Sequence, residues 1–307
     1  MSMKISGAPC CWGVDDPKNP FLPPWEQVLS EASQAGFDGI ELGPYGYVPM
    51  DVKRVQAELS KHDLTIIAGT IFDDLVSESN VEKLLHQVDD ICSLITKLPR
   101  SPLKDEIPFP PPYLVIIDWG HEERDYHAGH PDQAKRLSEK DWSKMMRHIA
   151  ALSERAWNRY RVRPVIHPHA GGYIEFEDEI KKLLKDIPYE TAGLCLDTGH
   201  LYYSKMDPAQ WLRDCADRLD YLHFKDIDPD MYQQMMGKRI RFFDACANGV
   251  MCPIGKGIID YGSIYSLLKE INYRGYITIE QERDPRTCAS SLLDVKQSID
   301  YVKNIGF

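Results

Sequence analysis

Short apolar runs alternate with longer stretches of helical periodicity along the whole chain. The runs fall at 3–12 (MKISGAPCCW), 39–42 (GIEL), 64–70 (LTIIAGT), 113–119 (YLVIIDW), 163–169 (RPVIHPH), 192–198 (AGLCLDT), 219–226 (LDYLHFKD) and 275–282 (GYITIEQE). Helical patterns cover 25–35, 51–62, 78–97, 139–159, 177–186, 207–217, 261–271 and 289–304. Several begin with capping chemistry: Ser138 before EKDWSKMM, Asp207-Pro208 before AQWLRDC, and Glu177-Asp178 before EIKKLL. Runs that are apolar on both faces suit strands covered by helices on one side and a core on the other. Eight strand–helix repeats with no linker between halves predict an α/β fold, one (β/α)₈ TIM barrel spanning 1–307, over a doubly wound sheet. The proline cluster at 98–112 reads as a loop entering the fourth strand. The stretch 227–259, after the seventh strand, is the longest without a clear strand and is a candidate lid.

Ionisable residues gather at the C-terminal ends of the predicted strands, the end of such a barrel that carries chemistry. Glu41 ends the second, Asp118 and His121 the fourth, and His167 and His169 the fifth. Asp197 and His200 end the sixth, His223, Lys225 and Asp226 the seventh, and Glu280 and Glu282 the eighth. Asp197, His223 and Glu280 sit at equivalent places on three consecutive strands, so they can converge on one divalent ion; this donor set suits Mn²⁺, Mg²⁺, Co²⁺ or Zn²⁺. The fourth ligand is open between a strand-five histidine and Glu175, which follows the Gly171-Gly172 turn; a carboxylate there also suits a helix N-terminus. His200 is placed to reach a substrate hydroxyl. Lys225 suits a developing oxyanion or a rim ion pair. Trp12 is an expected apolar wall for a sugar ring, with Glu41 a second wall group.

Charge and cysteine usage narrow the partners. A net charge of −11 with no Lys/Arg-rich run counts against nucleic acid or an anionic membrane surface. The N-terminus lacks the apolar core of a signal peptide, and no 18-residue apolar stretch occurs, so the expectation is a cytoplasmic protein. Eight cysteines without a C-x-x-C pair are expected to be reduced and structural.

The combination of GLCLDTGH, YLHFKD, IGKGIIDYGSI and GYITIEQERDP resembles the xylose-isomerase-like barrel superfamily, the sugar phosphate isomerase/epimerase group, over nearly the whole chain. Within it the chain is most similar to the inosose dehydratases. The resemblance implies one divalent metal held by Glu, Asp, His and Glu on strands five to eight. The last three match Asp197, His223 and Glu280, and the substrate-contacting His of DT-x-H matches His200. Ketose epimerases carry the first Glu directly at the end of strand five, where this chain has HPHAGG. Inosose dehydratases share an H-x-H-x-G run with a Gln or Glu further on, which matches Glu175. The implied chemistry is enolisation beside a carbonyl. Glu175, Glu280, His169 or another strand-end histidine serves as base. His167, His169 or His200 serves as acid, and Lys225 supports the oxyanion. For a keto-inositol this ends in dehydration, the reading that strand five favours. For a ketose it ends in isomerisation or epimerisation. A barrel that only binds a sugar or a partner protein is a third reading. The implied partner is a small polyol or sugar, and a homo-oligomer is implied by resemblance alone.

Overall fold

The computed structural model describes residues 3–101 and 107–307. Parallel strands form a barrel around a single axis: β1 (Met3–Gly7), β2 (Gly39–Ile40), β3 (Thr65–Ile66), β4 (Ala68–Asp73), β5 (Tyr113–Asp118), β6 (Arg163–Ile166), β7 (Gly193–Asp197), β8 (Leu219–Phe224) and β11 (Gly275–Ile279). A separate antiparallel pair, β9 (Asp226–Ile227) and β10 (Met251–Cys252), lies beyond β8. The nine barrel strands make eight staves, because β3 and β4 are one run interrupted at Ile67. β3 pairs with β2 and β4 with β5. Ile67 bridges the break, donating its N–H to the Ile40 carbonyl and accepting from Tyr113 N–H. Around the staves run α1 (Trp25–Ala35), α2 (Val52–His62), α3 (Val81–Ile95), α4 (Glu122–Asp125), α5 (Glu139–Tyr160), α6 (Glu177–Asp186), α7 (Thr198–Tyr203) and α8 (Pro208–Asp214). They are followed by α9 (Pro229–Lys238), α10 (Phe242–Ala247), α11 (Tyr261–Glu270) and α12 (Ser291–Ile305).

The strands are buried on both faces, and their alternation sorts the core into two layers. Leu114, Ile116, Leu194, Leu196, Leu222, Phe224, Ile277 and Ile279 pack outward against the helices. Tyr113, Val115, Ile117, Val165, Cys195, Tyr221 and Tyr276 fill the barrel interior as a distinct cluster. Ser138, Asp207 and Asp260 cap α5, α8 and α11 with side-chain oxygens, closing off N–H groups that would otherwise lack partners. All eight cysteines are unbridged.

Three expectations from the sequence need correction or refinement. The first strand stops at Gly7, and a 3₁₀ turn over Pro9–Trp12 follows. This turn carries Trp12 into the core, fully buried, with its indole N–H on Glu31 Oε2 at 2.6 Å. It is therefore not a wall of the mouth. The stretch 227–259 is a packed excursion rather than a bare loop. It carries α9, α10 and β10, and Met235, Phe242, Ala245, Val250 and Met251 bury a small core of their own. The proline-rich loop at 98–112 lies partly outside the described residues.

The motif IGKGI has a local cause. The Asp226 carboxylate accepts backbone N–H groups from Gly255, Gly257 and Ile259 as well as Ile227, wrapping this segment around one buried side chain. A Cβ at Gly257 would stand 2.2 Å from Asp226 Oδ1, so only glycine fits.

Two buried ion clusters hold opposite ends of the barrel. At the base, Arg163 Nε meets Asp220 at 2.6 Å, with side chains 2% and 6% exposed, and Tyr189 hydroxyl donates to the same carboxylate. Beside the mouth, Arg124 holds Glu179 at 2.5 Å and Glu175 at 3.3 Å. Glu175 also accepts from Gly129 N–H, Gly171 N–H and Ser204 Oγ. Its carboxylate is thus committed to tying three segments together. Burial pushes Glu175 up to about 7, against the opposing pull of Arg124 and the two backbone N–H groups.

Two predictions follow from these clusters. Asp220→Ala leaves Arg163 charged and buried without its partner. Chemical denaturation of the pure variant is expected to show a loss of about 3–5 kcal/mol, and a loss below 1 kcal/mol would refute the assignment. For Glu175 the native carboxyl keeps a proton that the unfolded chain releases above about 4.5. Stability of the wild type relative to Glu175→Gln should therefore fall by about 3 kcal/mol as pH rises from about 4.5 to about 7, and level off above that. A difference that stays flat across this range would show that Glu175 is ionised at both ends.

Candidate functional site

The site is built by continuing the inward alternation of the strands one or two residues beyond their ends. Val165 faces the axis, so His167 and His169 do as well. Cys195 leads in the same way to Asp197, and Tyr221 to His223 and Lys225. Tyr276 leads through Thr278 to Glu280 and Glu282. The lower positions in this series are apolar or hydroxyl-bearing and fill the barrel. The upper ones are ionisable and line a chamber at its mouth. Glu41, two residues after Gly39 of β2, joins them from the opposite wall.

His167, Asp197, His223 and Glu280 each present one ligand atom, and these atoms all lie within 4.8 Å of one another. All four are buried. His223 Nδ1 stands 2.9 Å from Glu280 Oε2 and 3.8 Å from Asp197 Oδ2, yet it makes no hydrogen bond. His167 Nε2 is 3.7 Å from the same Asp197 oxygen, and its Nδ1 is unpartnered. Donor atoms drawn close without hydrogen-bond geometry fit ligands directed at a common cation. The other ring nitrogen of His223, Nε2, lies 2.9 Å from Glu41 Oε1. A carboxylate behind a ligating imidazole fixes its orientation and leaves the opposite nitrogen free for metal. Tyr221 hydroxyl holds the same Glu41 oxygen at 2.7 Å, so Glu41 is itself anchored.

Lys225 is fully enclosed and touches three carboxylates: Glu280 at 2.5 Å, Asp197 at 2.8 Å and Glu282 at 2.9 Å. Burial works against its charge, but the three carboxylates outweigh it and hold the ammonium well above its ordinary value. Burial likewise works against ionised Asp197, and Lys225 overcomes it, so that carboxyl sits well below the usual range. Glu282 differs. Burial pushes it up to about 7 despite Lys225, leaving a carboxyl that exchanges its proton near neutrality.

A second trio, His169, His200 and Glu282, faces the same chamber. The backbone of one residue, Ala170, orients both rings. Ala170 N–H donates to His200 Nδ1 at 3.1 Å, and His169 Nδ1–H donates to the Ala170 carbonyl at 2.9 Å. The neutral His200 ring therefore carries its proton on Nε2, while His169 presents an unprotonated Nε2. Burial lowers both rings well below their ordinary value, so both are neutral. His200 Nε2 and Glu282 Oε2 are without hydrogen-bond partners.

The LDTGH segment now has a physical account. Asp197 closes β7 and caps α7, accepting His200 N–H at 2.9 Å. Thr198 Oγ1 bonds with the Lys225 peptide. Gly199 is required because a Cβ there would lie 2.4 Å from Lys225 Cβ. Of the residues expected at the site, Asp197, His223, Glu280, His167, His169, His200, Lys225 and Glu41 are brought together. Glu175 and Trp12 are not. The fourth member of the ligand-like group is His167, because the carboxylate of Glu175 is taken by Arg124 and backbone donors. Glu282 also joins the site; the sequence places it at a strand end without a role, although its signal is there, two residues past Glu280 on the same face.

Comparison with known proteins agrees with this architecture. Inosose dehydratase of Clostridium botulinum (strain Eklund 17B / Type B) is 28% identical over 311 residues, covering 98% of this chain and 96% of its own length. Among solved structures, the D-allulose 3-epimerase of Methylomonas sp. in complex with D-allulose superposes with a TM-score of 0.69 at 16% identity, covering 99% and 97% of the two chains. The IOLI protein, whose crystal structure holds a bound zinc atom, superposes with a TM-score of 0.71 at 13% identity, covering 99% and 98%. The sequence model of the xylose isomerase-like TIM barrel matches residues 29–305, and the chain belongs to that family.

Proposed function

We propose that this protein is a divalent-metal-dependent lyase that dehydrates a keto-inositol. The observation that carries the reading is the inward-facing group His167, Asp197, His223 and Glu280, with Glu41 behind His223 and the Lys225–Glu282 pair beside it. Similarity to inosose dehydratases over almost the full length supports the substrate class. A divalent ion held by these four residues would act as a Lewis acid on the substrate carbonyl and acidify the neighbouring C–H.

The chain's own groups supply the rest. Glu282, poised near neutrality, takes the α-proton and returns it to the departing β-hydroxyl. That hydroxyl leaves as water while the C–O bond breaks and a carbon–carbon double bond forms. A carboxyl near pH 7 suits both transfers. The Lys225 ammonium compensates negative charge developing on oxygen, in surroundings that exclude water. His200 Nε2–H donates to a substrate hydroxyl and His169 Nε2 accepts from one, so the fixed tautomers select which hydroxyl faces which ring.

Purified protein supplied with Mn²⁺, Co²⁺ or Zn²⁺ should bind near one ion per chain by elemental analysis and consume 2-keto-myo-inositol with loss of water. The Asp197→Ala/His223→Ala double variant should lose both properties. No ion bound in the wild type would sink the lyase reading, and a product of unchanged mass would redirect it to epimerisation. Glu282→Gln should retain the ion but lower kcat about 10²- to 10⁴-fold. A Glu282→Gln enzyme with near wild-type kcat would assign the proton transfer elsewhere.

A further inference from the structure

The chamber holding the charged residues is only the inner part of the cavity. Its walls enclose about 550 Å³ and it opens directly into an outer cleft of about 2340 Å³, both figures including space open to solvent. Asp15, Pro44, Phe72 and Phe243 line both, so the two are one continuous space with a throat between them. A single polyol ring engaging the inner groups would leave the outer cleft unfilled.

The outer cleft has an aromatic wall. Trp119 stacks on Phe72 with centroids 5.4 Å apart and planes at 13°, and Phe243 meets Trp119 edge-on at 4.9 Å. These three rings are partly exposed, although the strands beneath them are buried. Phe21 also lines the cleft and is 59% exposed, one of few large apolar side chains so placed among the described residues, with Arg286 5.8 Å from its ring centroid. Exposed and partly exposed rings lining one cleft suit the faces of a second ring.

The charges of the cleft argue against an anionic occupant. Lys83 is paired with Asp73, Arg283 with Asp294 and Arg286 with Asp284. Lys18 alone has no carboxylate partner among the described residues, while Asp16 adds negative charge at the rim. A phosphate would find one unpaired cation, with the Asp16 carboxylate two residues away from it.

We propose that the physiological substrate is a keto-polyol or keto-sugar ring bearing a bulky neutral substituent through an ether or glycosidic oxygen. The ring occupies the inner chamber. The linking oxygen passes Asp15 at the throat, and the substituent lies in the outer cleft against Phe21 and the Phe72–Trp119–Phe243 wall. This rests on the reading of the inner chamber as the ring site.

The test is calorimetric titration of Mn²⁺-loaded protein with 2-keto-myo-inositol, each of its mono-O-benzyl ethers and each of its monophosphate esters. At least one benzyl ether is expected to bind about tenfold more tightly than the parent ring. That gain should be lost in Phe21→Ala or Trp119→Ala, with binding of the parent unchanged. If the parent binds as well as every ether, the substituent site is overturned while the ring site stands. If a phosphate ester gains as much as the best ether, the neutral occupant is overturned. A gain that survives both substitutions would also overturn it, by placing the benzyl group outside the cleft. If neither the parent nor any derivative binds, the ring site and the substituent site fall together.

Discussion

Everything at the mouth of this barrel depends on placing charge where water cannot reach it. Asp197, His223 and Lys225 are at most 2% exposed, and Glu280 and Glu282 are at most 8% exposed. Unpaired, any one of these carboxylates or the ammonium would cost several kcal/mol. The cost is offset because one ammonium is surrounded by three carboxylates and one imidazole is gripped between Glu41 and Glu280. The net balance stays negative, which is the electrostatic setting a divalent cation complements. Polar groups that find no partner here, such as His167 Nδ1 and Glu282 Oε2, are the points where this compensation is incomplete. They all border the space a substrate would enter.

The same strands that bear these charges also form the core beneath them, and a single alternation serves both. Moving one register step along β8 changes Tyr221 into His223, and a second step reaches Lys225. The transition from packing to chemistry thus takes place within about 7 Å along one strand, the rise of a single two-residue step. The lower residues fix the upper ones: Tyr221 stacks on Tyr113 with centroids 4.8 Å apart and also hydrogen-bonds Glu41, which orients His223. The barrel interior therefore supports the site, because a shift in that aromatic pair is transmitted through Glu41 to the His223 imidazole.

Much of this was legible in the chain. The barrel followed from eight apolar runs separated by amphipathic stretches, and Asp197, His223 and Glu280 from their equivalent places at the strand ends. The errors share a cause. Trp12 is expected at the mouth because it follows a strand end, and Glu175 because it follows the Gly171-Gly172 turn and matches the family's run, but a side chain's direction past a strand depends on whether the backbone remains extended. After Gly7 it turns into a 3₁₀ helix, and after Gly171 it turns back toward Arg124. Where extension persists, as through Glu280 to Glu282, simple alternation keeps working. The partnership of Glu175 with Arg124, 51 residues away, has no local signature.

The backbone of Ala170 holds two imidazoles in opposite tautomers using only its N–H and its carbonyl. Those groups belong to every residue but proline, which lacks the N–H. What sets the protonation pattern of the site is consequently a path taken by the main chain, and position 170 has only to be small enough for the core it shares with Tyr203 and Phe242. Two relatives can differ at that position and still present the same donor and acceptor to a substrate. Two that match there can differ entirely, if the turn that follows is of another length.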